Sequence, residues 1–285
     1  MLKYVLYILT SLILVHPGSA QSLSPFTLFT SQGKKVKYQK VLKNTLRQEL
    51  VFFGEEHNNA IAHWLQLRLT KDCAMSRPLV LGAEMIERDN QDELEEYLEG
   101  EISANQLDSS ARLWPNYKTD YAPLVDFAKT HGFPFIGTNI PRRFAAMVSR
   151  KGLESLDTLS VEEKSWIAPL PILYDAELTG YKNILNMMPG HFSPNLPKAQ
   201  AIKDATMAHF ILVNMNTSSL FIHFNGSYHS EHDQGIIWYI KKANPNIRYL
   251  TITTVTQKQI KSLDKENFGK ADYILCVDED MTTTY

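Results

Sequence analysis

The sequence predicts an α/β protein: a mostly parallel central sheet flanked by helices, with an inserted helical cap. Two observations carry this reading. Short apolar, β-favouring runs alternate with longer segments of helical period, the rhythm of strands joined by helical crossovers and covered on both faces. A stretch over about 153–203 breaks that rhythm: it holds Pro169, Pro171, Pro189, Pro194 and Pro197, several aromatics and no convincing strand. An interruption of that length fits a helical cap or lid better than a bare loop.

The elements follow in order. Residues 1–20 have the pattern of a secretory signal peptide: Lys3, an unbroken apolar and small-residue run over 5–15, then Pro17, Gly18, Ser19 and Ala20. The run is short for a permanent bilayer anchor, and no cysteine near the cleavage point offers a lipid acceptor. The expected mature chain, 21–285, is one α/β domain with no transmembrane span. Residues 26–29 and 35–38 read as a hairpin turning at Gln32-Gly33. A strand at 50–53 precedes a helix on which Ile61, Trp64, Leu65 and Leu69 form an apolar stripe. A strand at 79–81 follows, and Asp89 suits the N-cap of the acidic helix running through Leu98. A helix over 121–130 is stopped by Gly132. Next come a strand at 133–136 and a helix whose first turn takes Pro141. After the interruption come a helix at 198–214, a strand at 220–224, a helix at 235–242, and strands at 249–255 and 273–277.

Composition narrows the function. Twenty-nine basic against 31 acidic residues leave a net charge of −2, and no Lys/Arg run makes a patch for nucleic acid or a membrane. Only Cys73 and Cys276 occur, without a Cys-x-x-Cys pair, which excludes zinc-ribbon and finger chemistry. Two cysteines in an exported chain can form one disulfide, although Cys276 lies in an apolar run that suits a buried free thiol.

Polar density concentrates where strands end, which is where ligands sit in open parallel sheets. Gly54-Glu55-Glu56-His57 leaves one strand, Glu84 is the first charged residue after another, and Asn225-Gly226-Ser227-Tyr228-His229 leaves a third. A carboxylate and two histidines converging from separate strands, His57, Glu84 and His229, can hold a divalent metal. With Glu56 they can instead hold a water between an acid and a base. The plainer alternative makes these helix-capping groups, with Asn58 or Glu55 satisfying free N–H groups. Arg142, in Asn139-Ile140-Pro141-Arg142-Arg143, can fork onto a carboxylate of the site or of a ligand, while Arg143 reads as a surface residue. His63 lies mid-helix and His131 at a helix end, which lowers their weight. His223 reads as a satisfied core histidine.

Taken in order, several segments resemble the ChaN-like haem-binding uptake family. They are Gly54-Glu55-Glu56-His57-Asn58-Asn59, Gly82-Ala83-Glu84-Met85, residues 114–121, Asn139-Ile140-Pro141-Arg142, residues 200–208 and Asn225-Gly226-Ser227-Tyr228-His229. The resemblance spans about 26–277. It groups the chain with Tiki, TraB and erythromycin-esterase proteins, whose Gly-x-x-His pair and glutamates serve metal-dependent proteolysis or metal-free hydrolysis in some members. It implies an exported bacterial protein of the periplasm or cell envelope, taking part in iron and haem uptake. Haem would be its cofactor and partner, bound between two subunits of a homodimer. A tyrosine can ligate the iron in that family, which makes Tyr174, Tyr181 and Tyr228 the candidates here, with His229 close by. An aromatic, Met-rich cap (Trp166, Tyr174, Tyr181, Met187, Met188, Phe192) would suit a flat macrocycle, and equally the ordinary core of a lid. The missing lipobox cysteine departs from the lipoproteins common in that family. The competing expectation is a hydrolase of esterase or peptidase type, with His57 as general base, Glu84 orienting it or His229 sharing a metal, and Arg142 on an anionic intermediate.

Overall fold

The computed structural model describes residues 24–187 and 193–285. The expected signal peptide at 1–20 and the cap residues Met188 and Phe192 lie outside the described residues.

Seven strands make one sheet: β1 (Phe26–Thr30), β2 (Leu50–Glu55), β3 (Leu79–Glu87), β4 (Phe135–Asn139), β5 (Leu220–Gly226), β6 (Tyr249–Gln257) and β7 (Tyr273–Asp278). They lie in the order β1-β7-β6-β2-β5-β3-β4. Every neighbouring pair is parallel except β1 with β7. Ten α-helices are described: α1 (Tyr38–Thr45), α2 (Ala60–Ala74), α3 (Gln91–Glu99), α4 (Ala104–Ser110), α5 (Ala122–His131), α6 (Arg142–Lys151), α7 (Val161–Lys164), α8 (Thr179–Met187), α9 (Leu196–Asn214) and α10 (Ile236–Ala243).

The two-residue period of β2 sorts its side chains between two cores. Val51 and Phe53 pack with Leu65 and Leu69 of α2 and Leu124 of α5. Leu50 and Phe52 pack on the other face with Met207 and Ile211 of α9 and Ile236 and Ile240 of α10. Each fully buried phenylalanine contributes about 1.5–3 kcal/mol relative to leaving it exposed. A sheet covered this way has no wet face, which is why β2, β3 and β5 are buried at every position.

Connectivity places the crevice. The chain leaves β2 through α2 toward β3, but leaves β5 through α10 toward β6, on the opposite side of the sheet order. The adjacent carboxyl ends of β2 and β5 are therefore a topological switch point, where diverging loops open a space for ligands.

Several expectations need correction. The hairpin at Gln32-Gly33 is shorter than expected: the Thr30 amide donates to Lys34 at 2.8 Å, the Val36 amide to Leu28 at 2.9 Å, and Phe29 bridges Lys35 antiparallel. No strand extends over 35–38, because Tyr38 already begins α1, and the full ladder of β1 is with β7. Asp89 does not cap a helix, because it sits inside a 3-10 turn (Arg88–Asn90) that runs into α3. There its nearly buried carboxylate pairs with Arg112 and Arg143. Trp64 leaves the inner stripe of α2: it is half exposed and packs on Phe26. The inner face carries His63, Gln66 and Thr70 beside its apolar residues. Cys73 and Cys276 are both free and buried.

Within 153–187 there are a 3-10 turn (Leu153–Thr158), α7 and α8, and no strand. Leu156, Leu159 and Ile167 pack against Phe144 and Val148 of α6 and Ile202 of α9. Among the described residues, no helix is long and apolar enough to cross a membrane.

Candidate functional site

The two Gly-x-x-His turns interlock at the switch point. A Cβ at Gly54 would lie 2.9 Å from the Ser227 Cα, and one at Gly226 would lie 2.8 Å from His57 Cε1. Each motif's glycine is thus the space into which the other motif fits.

His57 stands at the end of β2. Its Nδ1 meets Glu55 Oε1 at 3.0 Å. Glu55 is buried and also accepts from Gln66 Nε2 at 2.7 Å and Tyr121 Oη at 2.6 Å. A carboxylate so fully engaged orients the imidazole, and it leaves Nε2 with no hydrogen-bond partner among the described residues. Burial opposes protonation of His57, but the Glu55 hydrogen bond and the charges of Glu84 and Glu55 outweigh it and raise its pKa. The His57 carbonyl accepts from Asn116 Nδ2 at 3.2 Å and sits 3.0 Å from His63 Nε2. Asp120 backs both groups, accepting from Asn116 at 2.7 Å and lying 3.4 Å from His63. The Trp114 ring stands edge-on to His57, with centroids 4.8 Å apart. Glu56 borders the cavity, but its oxygens accept from the Thr256 amide at 3.2 Å, the Thr256 hydroxyl at 2.6 Å and Asn59 at 3.0 Å. It fastens the loop to β6.

His229 is enclosed by acid. Its Nδ1 lies 2.5 Å from Asp204 Oδ1, and its Nε2 lies 3.1 Å from Glu84 Oε1. Burial works against its charge, yet the two carboxylates raise its pKa to about 10. Glu84 resists burial through His229 and keeps its pKa well below the usual carboxylate range. It also accepts the Gly226 amide at 2.7 Å. Asp204 is buried deeply enough that its pKa rises despite the same imidazolium, and it accepts the Tyr181 hydroxyl at 2.8 Å. A chain of hydrogen bonds therefore runs from α8 through α9 to β3.

These contacts bear on the metal expectation. Both ring nitrogens of His229 are already engaged, Nδ1 by Asp204 and Nε2 by Glu84, with the Gln200 Nε2 amide 3.0 and 3.1 Å from them. Among the described residues no group of three His, Cys, Asp or Glu side chains is arranged to hold a metal ion.

The tyrosines are placed differently from one another. Tyr181 is buried with its hydroxyl on Asp204, and burial followed by the Asp204 charge raises its pKa. Tyr174 stacks on Tyr181 with centroids 5.9 Å apart. Of the three, only Tyr228 borders the cavity that His57 and His229 line. Its hydroxyl donates to the Gly180 carbonyl, and burial, then the charges of Asp204 and Glu231, pushes its pKa up to about 12. His229 borders the cavity too, by a ring that is already saturated. His223 is wholly buried between Thr138 Oγ1 at 2.8 Å and Asn225 Oδ1 at 3.0 Å. Burial lowers its pKa to about 4, the state of a satisfied core histidine.

Two cavities adjoin at this end of the sheet. One, of about 590 Å³, is bordered by His57, Glu84, Asn139, Lys203, Tyr228 and His229 among others. A second, of about 640 Å³, runs along Leu113, Trp114, Pro115 and Ala146 with Arg112 and Arg143. Glu87, Trp114 and Arg142 border both. Arg112 and Arg143 are bound to Asp89, whereas Arg142 has no ion pair among the described residues.

Sequence reasoning missed Glu55, His63, Asn116, Asp120, Tyr121, Gln200 and Asp204 as parts of the site. Polar residues on the buried face of α2, His63 and Gln66, were a usable signal, since a helix spends such positions on polar groups only where partners await them.

An open, mostly parallel sheet with a buried acid–histidine cluster below a half-polar, half-apolar cavity defines a scaffold for binding or transforming a ligand at its strand ends. The model of the haem-binding uptake family of the Tiki superfamily, ChaN, matches residues 41–240, and the chain belongs to that family. Among solved structures, ChaN of Campylobacter jejuni, described as binding haem cofacially, superposes with a TM-score of 0.65 at 17% identity, over 88% of this chain and 96% of the other. A protein of Bacillus cereus superposes with a TM-score of 0.50 at 13% identity, over 88% of this chain and 94% of the other. At such identities the likeness is one of fold. No curated protein matches the chain.

Proposed function

We propose that this protein is exported and binds haem as the cargo of an iron-uptake step, with the macrocycle lying along the trough formed by the two cavities. The observation that carries the reading is the make-up of that trough. Leu113, Trp114, Pro115 and Ala146 give one apolar flank, and Arg142 and Lys203 supply positive charge for acid groups. The residues present fit haem. Membership of a haem-binding uptake family supports the same ligand, and the signal-like pattern of residues 1–20 supports export to the periplasm or envelope. A helical cap over 153–203 would form the roof, and a second copy of the chain would close the open side.

Tyr228 is the tyrosine we assign to the iron, because it alone of the three candidate tyrosines borders the cavity. A phenol binds ferric iron as the anion, and this one starts with its pKa raised to about 12. Binding must release its proton, so affinity should rise with pH across the neutral range. The test is a titration of the full chain with haemin, followed by its Soret band. Wild type should saturate, and Tyr228→Phe should lose the tyrosinate spectrum and bind more weakly. A spectrum unchanged in Tyr228→Phe removes that assignment, and no Soret shift in wild type removes the haem reading.

One observation favours hydrolysis as a second reading. His57 Nδ1 is held by buried Glu55 while Nε2 has no partner among the described residues, which is how a general base is oriented. On that reading wild type turns over an ester or peptide substrate and His57→Ala loses at least about a hundredfold. Equal rates for the two proteins dispose of it.

A further inference from the structure

The segment Asn139-Ile140-Pro141-Arg142 leaves edge strand β4 at the rim where the two cavities meet. Asn139 is 8% exposed and borders the cavity that His57 and His229 line. Among the described residues the amide makes no hydrogen bond: Oδ1 is sealed in the wall without a partner, so the NH₂ is the end left to meet the cavity, where it is a donor without an acceptor.

Two further features converge there. Pro141 precedes α6 as its N-cap residue, and no side chain caps that helix, nor does an acidic residue lie in its first turn. Its partial positive charge therefore stays available to an anion. Arg142 is exposed, borders both cavities and has no ion pair among the described residues, while its neighbours Arg112 and Arg143 are bound to Asp89. One acid, Glu87, stands beside Asn139 in the β3–β4 register, and Arg112 pairs with it at 3.2 Å.

We propose that Asn139, Arg142 and the first turn of α6 form a carboxylate-binding corner that holds the acid group of the ligand in the trough. The corner deepens the haem reading and rests on it for the identity of that acid, a propionate. An amide NH₂, a guanidinium fork and a helix N-terminus together supply donors to both oxygens of one carboxylate.

The experiment compares haemin with haemin dimethyl ester, which keeps the ring and iron but lacks the acids, on the full chain. Asn139→Leu and Arg142→Gln should each weaken haemin by about tenfold or more and leave the ester unchanged. Asn139→Asp keeps the shape and reverses the charge preference, so it should weaken haemin further. Equal losses for both ligands, or no loss for haemin, overturn the corner. If wild type shows no Soret response to either ligand, the haem reading fails by itself. The corner is then read from the Asn139 side-chain NH₂ resonances, titrated with hexanoate against hexanol. A saturable shift with hexanoate alone keeps it, and no shift ends it.

Discussion

At the scale of single residues, the site is governed by where charge is stored. His229 is a buried imidazolium between Glu84 and Asp204, and each partner is left uncompensated if the ring is removed. Breaking such a cluster from one side costs about 3–5 kcal/mol, so His229→Gln should lower the unfolding free energy by that order in urea at pH 7. The pH dependence has a definite sign. The folded pKa, about 10, is above the ordinary value of 6.5, so the stabilisation is complete below 6.5 and is lost as pH rises through about 10. Wild type should therefore weaken steadily across that window, and the His229→Gln variant should show a much flatter profile there. An equally steep profile in both proteins would show that the imidazolium is not the source.

At the scale of elements, the alternation of strands and helices was legible because it is written in local period: β2, β3 and β5 as apolar runs, α9 and α10 as apolar faces. The candidate site was legible only in outline. Gly54, His57, Glu84, Gly226 and His229 stood out because each closely follows an apolar run that reads as a strand, although Gly54, Glu84 and Gly226 lie within the longer β2, β3 and β5 of the fold. Their partners did not, since Tyr121 reaches Glu55 across 66 positions and Asp204 reaches His229 across 25. No periodicity encodes such meetings. His63 was discounted as a mid-helix residue, yet the turn of α2 that carries it faces Glu55 and Asp120. The shortened hairpin has a similar cause: β1 gains a full ladder with β7, whereas the segment after Gly33 turns back onto Leu28, Phe29 and Thr30 with room for one bridge before α1 begins. Asp89 was misplaced because two arginines, Arg112 and Arg143, take its carboxylate instead of a helix end.

At the scale of the whole molecule, the far end of the chain returns to the first Gly-x-x-His turn. Thr283 bridges Asn59, the Thr284 amide donates to the Asn58 carbonyl at 3.0 Å, and the Thr284 hydroxyl donates to Asp120 Oδ2 at 2.7 Å. Asp120 is the same carboxylate that backs Asn116 and His63 behind the His57 carbonyl. The tail thus closes a ring of contacts around the turn, joining segments far apart in the sequence. A backbone bond of this kind contributes about 1 kcal/mol, and a side-chain bond to a carboxylate somewhat more. Thr284→Val removes only the hydroxyl bond, and deletion of residues 283–285 removes all three. In native-state hydrogen exchange, the deletion should speed exchange of the amides at the His57 turn by about fivefold or more, with a smaller effect from Thr284→Val. Amides in the middle of β2 should keep their protection, because their partners in β5 and β6 do not depend on the tail. Uniform loss across the sheet would mean that the tail supports global stability, and no change at the turn would mean that Asn116 and His63 hold His57 without it.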